Sequence, residues 1–203
     1  MSETDDNTLI AALWRVVAAH GWDGLTMRRL AGEADLSLAE LRRRFPSRLD
    51  LLVLHGSLMD RTVLAGTIPG QGGLARDRLF DVLMRRLDAM QPHRAGILRL
   101  LDDMRRDPGL AALLGPHLVR SMRWMLDAAE VDADAPMRRL LALGLVGVWI
   151  GTVRAWIEDE SEDLGHTMAA LDRLLDRAGQ IGRTLRLLPD EAPSPTPVAT
   201  PDA

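Results

Sequence analysis

The segment TMRRLAGEADLSLAELRRRF, residues 26–45, reads as two short helices around a tight turn. Leu30, Ala31 and Ala34 give the first an apolar face, and Leu36, Leu41 and Phe45 continue it across the turn and the second. Most intervals are three to five residues, which fits crossed amphipathic helices and not a strand. Thr26 is placed to cap the first helix, its hydroxyl accepting from an orphan backbone N–H. Ser37 and Glu40 form an S-x-x-E capping box, so the second helix starts just after Ser37. Two short helices with a turn of about three residues make a helix-turn-helix, whose second helix can enter a DNA major groove. Arg28, Arg29, Arg42, Arg43, Arg44 and Arg48 fall in or beside it, against Glu33, Asp35 and Glu40. Guanidinium groups suit phosphate oxygens and guanine edges, although a basic solvated helix face carries the same charge.

The rest of the chain bounds what this element can belong to. Its 203 residues are 47 % apolar, enough for a sizeable core, and carry a net charge of −4, so nucleic-acid binding must come from a local patch. All 25 basic residues are arginine. With no cysteine, disulfides, thiol catalysis and cysteine metal sites are excluded, which suits a reducing cytoplasm. The N-terminal MSETDDNT has neither the charged nor the apolar region of a signal peptide. The most apolar stretch, Leu140 to Ile157, contains Arg154 and three glycines and is short for a span, so no stable membrane insertion is expected.

Before the helix-turn-helix, Leu9, Ile10, Leu13, Trp14, Val17 and Ala18 form a helical stripe that Gly21 ends. After it, Pro46-Ser47 breaks the chain, and Ser47 caps a helix from Arg48 to about Ala65. GTIPGQGG, Gly66 to Gly73, is a loop by composition. Further helices are predicted over Leu74 to Gln91, from Pro92 to about Arg106, through Leu113 and Leu114 as far as a break at Gly115-Pro116, and over His117 to Ala129. Met137 to Ile157 and Leu164 to about Leu185 follow, separated by the acidic turn EDESED, and the proline-rich stretch from Pro189 is expected to be disordered. The expected fold is all-α, with about nine helices. An N-terminal three-helix helix-turn-helix domain (1–47) precedes a helical ligand-binding and dimerisation domain (48–188) and a tail (189–203).

The first fifty or so residues resemble the DNA-binding domain of TetR-type transcriptional regulators. The elements that carry the likeness are the helix-ending Gly21, the cap Thr26, the pair Leu30-Ala31, the cap Ser37, the aromatic Phe45 and the break Pro46-Ser47-Arg48. Three positions depart from that pattern. Asp35 stands at the turn glycine, Arg42 at the recognition-helix tyrosine, and Arg48 at the lysine after Pro-Ser. The resemblance implies that Thr26, Arg28, Ser37, Arg42, Arg43, Arg44 and Arg48 lie near DNA. Thr26 and Arg48 would meet phosphates, and Leu38, Ala39 and Arg43 would face base edges. It further implies a homodimeric, ligand-responsive repressor on a palindromic double-stranded operator.

The helix Met137 to Ile157 is apolar nearly all round and requires burial. Gly147 and Gly151, four apart, with Gly144 beside them, admit close helix approach, either within one subunit or across a dimer. TetR-like proteins pair their last two helices in a four-helix bundle, so the resemblance puts Gly144, Gly147, Gly151, Met168 and Leu171 at a dimer interface. Met84, Met122, Trp124, Met125 and Trp149, with Met90 and Trp156, either line a pocket for a small apolar ligand or form ordinary core. From Trp156 onward the chain is similar also to TetR-like ubiquinone-biosynthesis accessory proteins that bind lipid, which supplies the alternative of a lipid- or quinone-binding protein without specific DNA binding. No phosphate loop, nucleophile elbow or dinucleotide fingerprint appears, His93, His117 and His166 lack metal-ligand spacing, and EDESED lacks the spacing of a calcium loop. Neither enzyme activity, metal nor cofactor is expected.

Overall fold

The computed structural model describes residues 3–184, and the tail expected at 189–203 lies outside them. Among the described residues all regular structure is helical. The helices are α1 (Glu3–Gly24), α2 (Met27–Ala34), α3 (Leu38–Arg44), α4 (Arg48–Ala65), α5 (Ala75–Met90), α6 (Arg94–Arg106), α7 (Pro108–Ala128), α8 (Ala135–Glu158) and α9 (Gly165–Thr184). A single 3-10 turn, Gln91–His93, joins α5 to α6. There Pro92 turns the chain without a full break, since its fixed φ suits a helical start.

One expected break is absent. α7 runs unbroken through Gly115-Pro116. Proline removes one backbone N–H from the ladder. Pro116 and Ala112, whose carbonyl loses that bond, are both exposed, so water can take the place of the missing donor.

The chain forms two compact units. The first comprises the residues up to Ala65 with Arg86–Ser121. This divides the chain differently from a boundary at 47/48, because α4 and α6 both pack on α1. The core of this unit gathers Leu9, Leu13 and Val17 of α1, Leu30 of α2, Leu41 of α3 and Leu51 of α4. α6 lies along α1 at very short range. A Cβ on Gly96 would stand 2.5 Å from the Trp14 carbonyl oxygen, so only glycine permits the approach. Gly21 interrupts α1 at φ 70°, ψ 175°, a backbone that L side chains rarely adopt. The interruption frees the Trp22 N–H, and Asp103 of α6 accepts it at 2.7 Å.

The second unit comprises Gly66–Arg85 and the residues from Met122 onward. α8 and α9 form its main helix pair. Asp134 caps α8 through the Met137 N–H at 3.0 Å. The EDESED turn is organised from within by Asp159. One carboxylate oxygen accepts from the Ser161 N–H (3.1 Å) and hydroxyl (2.5 Å), and the other from the Thr167 N–H (2.8 Å) and hydroxyl (2.7 Å). Those bonds, Ser161 foremost and Thr167 next, hold the carboxyl well below the usual carboxylate range. The acidic composition of EDESED gave no sign that Asp159 would be a buried acceptor.

Candidate nucleic-acid interface

The helix-turn-helix is built as its local chemistry dictates. The Thr26 hydroxyl accepts from the Arg29 N–H (3.2 Å) at the start of α2, and the Ser37 hydroxyl from the Glu40 N–H (3.1 Å) at the start of α3. Between them Asp35 takes the left-handed conformation, φ 52°, ψ 44°, and its N–H returns to the Ala31 carbonyl. The Leu36 N–H bonds the same carbonyl at 2.9 Å. This αL stop lets α3 leave at an angle while Leu30, Ala31, Leu41 and Phe45 close the core beneath. The Phe45 N–H ends α3 on the Leu41 carbonyl at 2.8 Å, and at the next helix Asp50 accepts from both the N–H and the hydroxyl of Ser47, each at 2.8 Å.

Most of the expected contact residues reach solvent. Thr26, Arg28, Ser37, Leu38, Ala39, Arg42 and Arg43 are all exposed. Leu38 is 51 % exposed, which is unusual for a large apolar side chain at the head of a helix. Arg28 and Arg43 have no side-chain partner among the described residues, so their guanidinium groups are free to meet an acceptor. Arg42 is exposed but folds back to donate to the Pro46 carbonyl at 2.9 Å.

Two of the expected arginines are turned to other uses. Arg44 ion-pairs with Asp6 of α1 at 2.5 Å, its side chain only 9 % exposed, and lies over the Phe45 ring at 5.1 Å. It bolts α3 to α1, a structural brace where a DNA contact was expected. A guanidinium withdrawn from water loses hydration, and such a partner offsets that loss. Arg48 donates to the Trp22 carbonyl at 2.8 Å and stacks on the Trp22 ring at 4.9 Å, with Asp23 at 3.8 Å. It is half-exposed and holds α4 to the end of α1. Neither role had a signal in the sequence, because both partners lie at least 25 residues away.

The second unit holds the residues expected to bind a ligand or a second subunit. Met122, Met125 and Trp149 are buried and Met84 is half-buried, but Trp124 is 51 % exposed. Two positions along a helix amount to about 200° of rotation, so Trp124 stands on the face opposite Met122 and does not line an interior with it. Of the expected interface residues, Gly144 and Gly147 lie on an open face of α8, beside exposed Leu140, Leu143 and Ile150. Gly151 and Leu171 do not. A Cβ on Gly151 would stand 2.8 Å from Leu174 of α9, so this glycine serves the α8–α9 contact within one chain, and Leu171 is fully buried. Met168 is half-buried. The apolar helix is longer than the expected Leu140 to Ile157 stretch: α8 has 24 residues and is long and apolar enough to cross a membrane. Its inner face, including Leu145, Trp149, Thr152 and Trp156, is nonetheless buried. Among the described residues no three metal-ligating side chains converge.

No family model and no curated protein matches the chain. Solved structures do. A TetR transcriptional regulator from Nitrosomonas europaea ATCC 19718 superposes with a TM-score of 0.68 at 20 % identity, over 86 % of this chain and 98 % of that one. A TetR transcriptional regulator from Rhodococcus sp. RHA1 gives 0.60 at 17 % identity, over 87 % and 96 %. A tetR-family regulator from Streptomyces coelicolor gives 0.56 at 17 % identity, over 95 % and 91 %. The chain therefore has the all-α fold shared by these TetR-family regulators, along nearly their whole length.

Proposed function

We propose that this protein is a TetR-like DNA-binding transcriptional regulator, a cytoplasmic, ligand-responsive repressor that binds a palindromic operator as a homodimer. The observation that carries the reading is the exposed surface of the capped α2–turn–α3 unit, where unpaired Arg28 and Arg43 flank Ser37, Leu38 and Ala39. Residues 1–47 would act as the DNA-binding domain, with one α3 in each operator half-site. Arg43 is the best-placed reader of a base edge, the apolar Leu38 suits a thymine methyl, and Arg28 and Thr26 would hold phosphates.

The open stripe of α8, Leu140, Leu143, Gly144, Gly147 and Ile150, recurs every three to four residues and supports a helix-to-helix contact between two copies. Pairing there would bury the face of α8 that one chain leaves in water. Met84, Met122, Met125 and Trp149 remain the apolar lining against which a small ligand would act. It would do so by favouring a dimer whose α3 helices no longer match the half-site spacing.

The test is fluorescence anisotropy on DNA from upstream of the protein's own gene against a scrambled duplex, over a salt series. Arg43→Ala should cost about 1–3 kcal/mol on the specific duplex if it reads a base, and Arg28→Ala should lower the salt slope by about one. Equal, weak binding to both duplexes, and to other promoters tried the same way, would refute the reading.

A further inference from the structure

Within the first unit a cavity of about 70 Å³ opens between α1, α4 and the α5–α6 corner, room for a molecule of a few non-hydrogen atoms. Its polar lining is two imidazoles, His55 and His93, with the Asn7 amide and the Thr62 hydroxyl. Ile10 and Leu58 supply an apolar wall. None of the lining side chains is a carboxylate.

His55 is 7 % exposed, and its Nε2 has no hydrogen-bond partner. A buried ring nitrogen without a partner costs on the order of 1–3 kcal/mol and calls for an explanation. The ring is held firmly, edge-on to Trp14 at 4.9 Å and to His93 at 5.7 Å, while Trp14 stacks on His93 at 6.4 Å. The orphan nitrogen thus belongs to a fixed aromatic cluster beside a cavity.

The charges around it define what it would accept. Arg86 approaches from α5, and burial, His93 and Arg86 together drive His55 to its neutral form, down to about 3. The neighbouring carboxylates are already committed. Asp60 of α4 pairs with Arg86 and accepts from the Ser121 hydroxyl at 2.6 Å, and Asp6 of α1 pairs with Arg44. With His55 neutral and Arg86 held by Asp60, the lining carries no free charge, and an imidazole N–H there can donate to an anion with no lining carboxylate to oppose it.

We infer that this cavity is a binding site for a short-chain carboxylate, its oxygens on His55 and His93 and its alkyl end against Ile10 and Leu58. On binding, one imidazole takes a proton from solvent and donates that N–H to the carboxylate, so the anion enters with one proton and the site stays neutral overall. If the protein is the DNA-binding regulator proposed above, occupancy would tie α1 and α4 to the α5–α6 corner and so act on the helix-turn-helix.

The inference is tested on the full-length protein without DNA, so that its failure is distinct from failure of the DNA-binding reading. Imidazole 15N shifts would be followed at pH 6 in titrations with sodium butyrate, with sodium chloride at equal ionic strength, and with 1-butanol. The expected result is a saturable shift of His55 and His93 toward imidazolium with butyrate alone. Asn7→Asp, an exposed change that sets a negative charge on the lining, should weaken butyrate several-fold, and His55→Gln should abolish saturation while the thermal melt remains cooperative. Identical shifts with butyrate and chloride, or saturation by 1-butanol at the same concentration, would overturn it.

Discussion

The backbone N–H of Trp22 donates to the carboxylate of Asp103, 81 residues later, at 2.7 Å. The bond lies where Gly21 breaks α1, so α6 supplies the acceptor that the helix itself has lost. Asp103→Ala should destabilise the protein by about 1–3 kcal/mol, a buried donor being left unsatisfied. For a chain of this size that lowers the melting temperature by roughly 2–4 °C per kcal/mol in a thermal scan. Asp103→Asn, which keeps an acceptor oxygen, should lose less.

Gly96→Ala places a methyl 2.5 Å from the Trp14 carbonyl oxygen. Backbone cannot yield there as a flexible side-chain tip would. The expected cost is about 1–3 kcal/mol or more, read by urea denaturation as a lower midpoint with an unchanged slope. Gly147→Ala on the open face of α8 meets nothing within 4 Å and should not destabilise the isolated chain.

Arg43 and Arg44 are neighbours with opposite assignments. Arg44→Ala strands Asp6 in a half-buried position, and its main effect should be a loss of about 1–3 kcal/mol in stability. Arg43→Ala should leave the melt unchanged and act on DNA affinity alone. Running melts and anisotropy on both variants separates the two, and an unchanged melt for Arg44→Ala would refute the brace.

Acid should unfold the first unit through His55. Its folded value, about 3, lies below the ordinary 6.5. Between those limits the unfolded chain binds the extra proton, so stability is complete above about pH 6.5 and declines as pH falls toward 3. The slope approaches roughly 1.4 kcal/mol per pH unit for one proton. His93, lowered in the same sense by burial, adds to it. Urea midpoints from pH 4 to 8 should show this slope, and His55→Gln should flatten it.

Asp35→Gly should stabilise the turn by up to about 1 kcal/mol, since glycine enters the left-handed region freely and aspartate does so at some cost. Asp35→Val should lower the melting temperature, because a β-branched side chain is strongly disfavoured at φ 52°.

Local chemistry was readable from the chain alone. Thr26 and Ser37 cap helices because their partners lie three residues on, and Asp35 stops α2 within its own turn. What was not readable depends on residues distant in sequence. Arg44 and Arg43 have the same local pattern, and only Asp6, 38 residues upstream, distinguishes them. Gly151 and Gly147 likewise look equivalent until Leu174 is placed against one of them. Trp124 was misread for a simpler reason, its phase relative to Met122 on a single helix. Pro116 misled because the rule that proline breaks a helix holds less firmly where the bereft carbonyl faces water.

The packing of Gly96 on Trp14 also governs how the protein can be taken apart. A fragment ending at residue 47 would expose the side of α1 that α6 covers and leave the Trp22 N–H without its acceptor. The stretch up to residue 47 is therefore not a detachable cassette. A chimera that transplants it to another scaffold must carry α4 and α6 along, or supply a surface that reproduces the bare glycine and the aspartate about two turns beyond it.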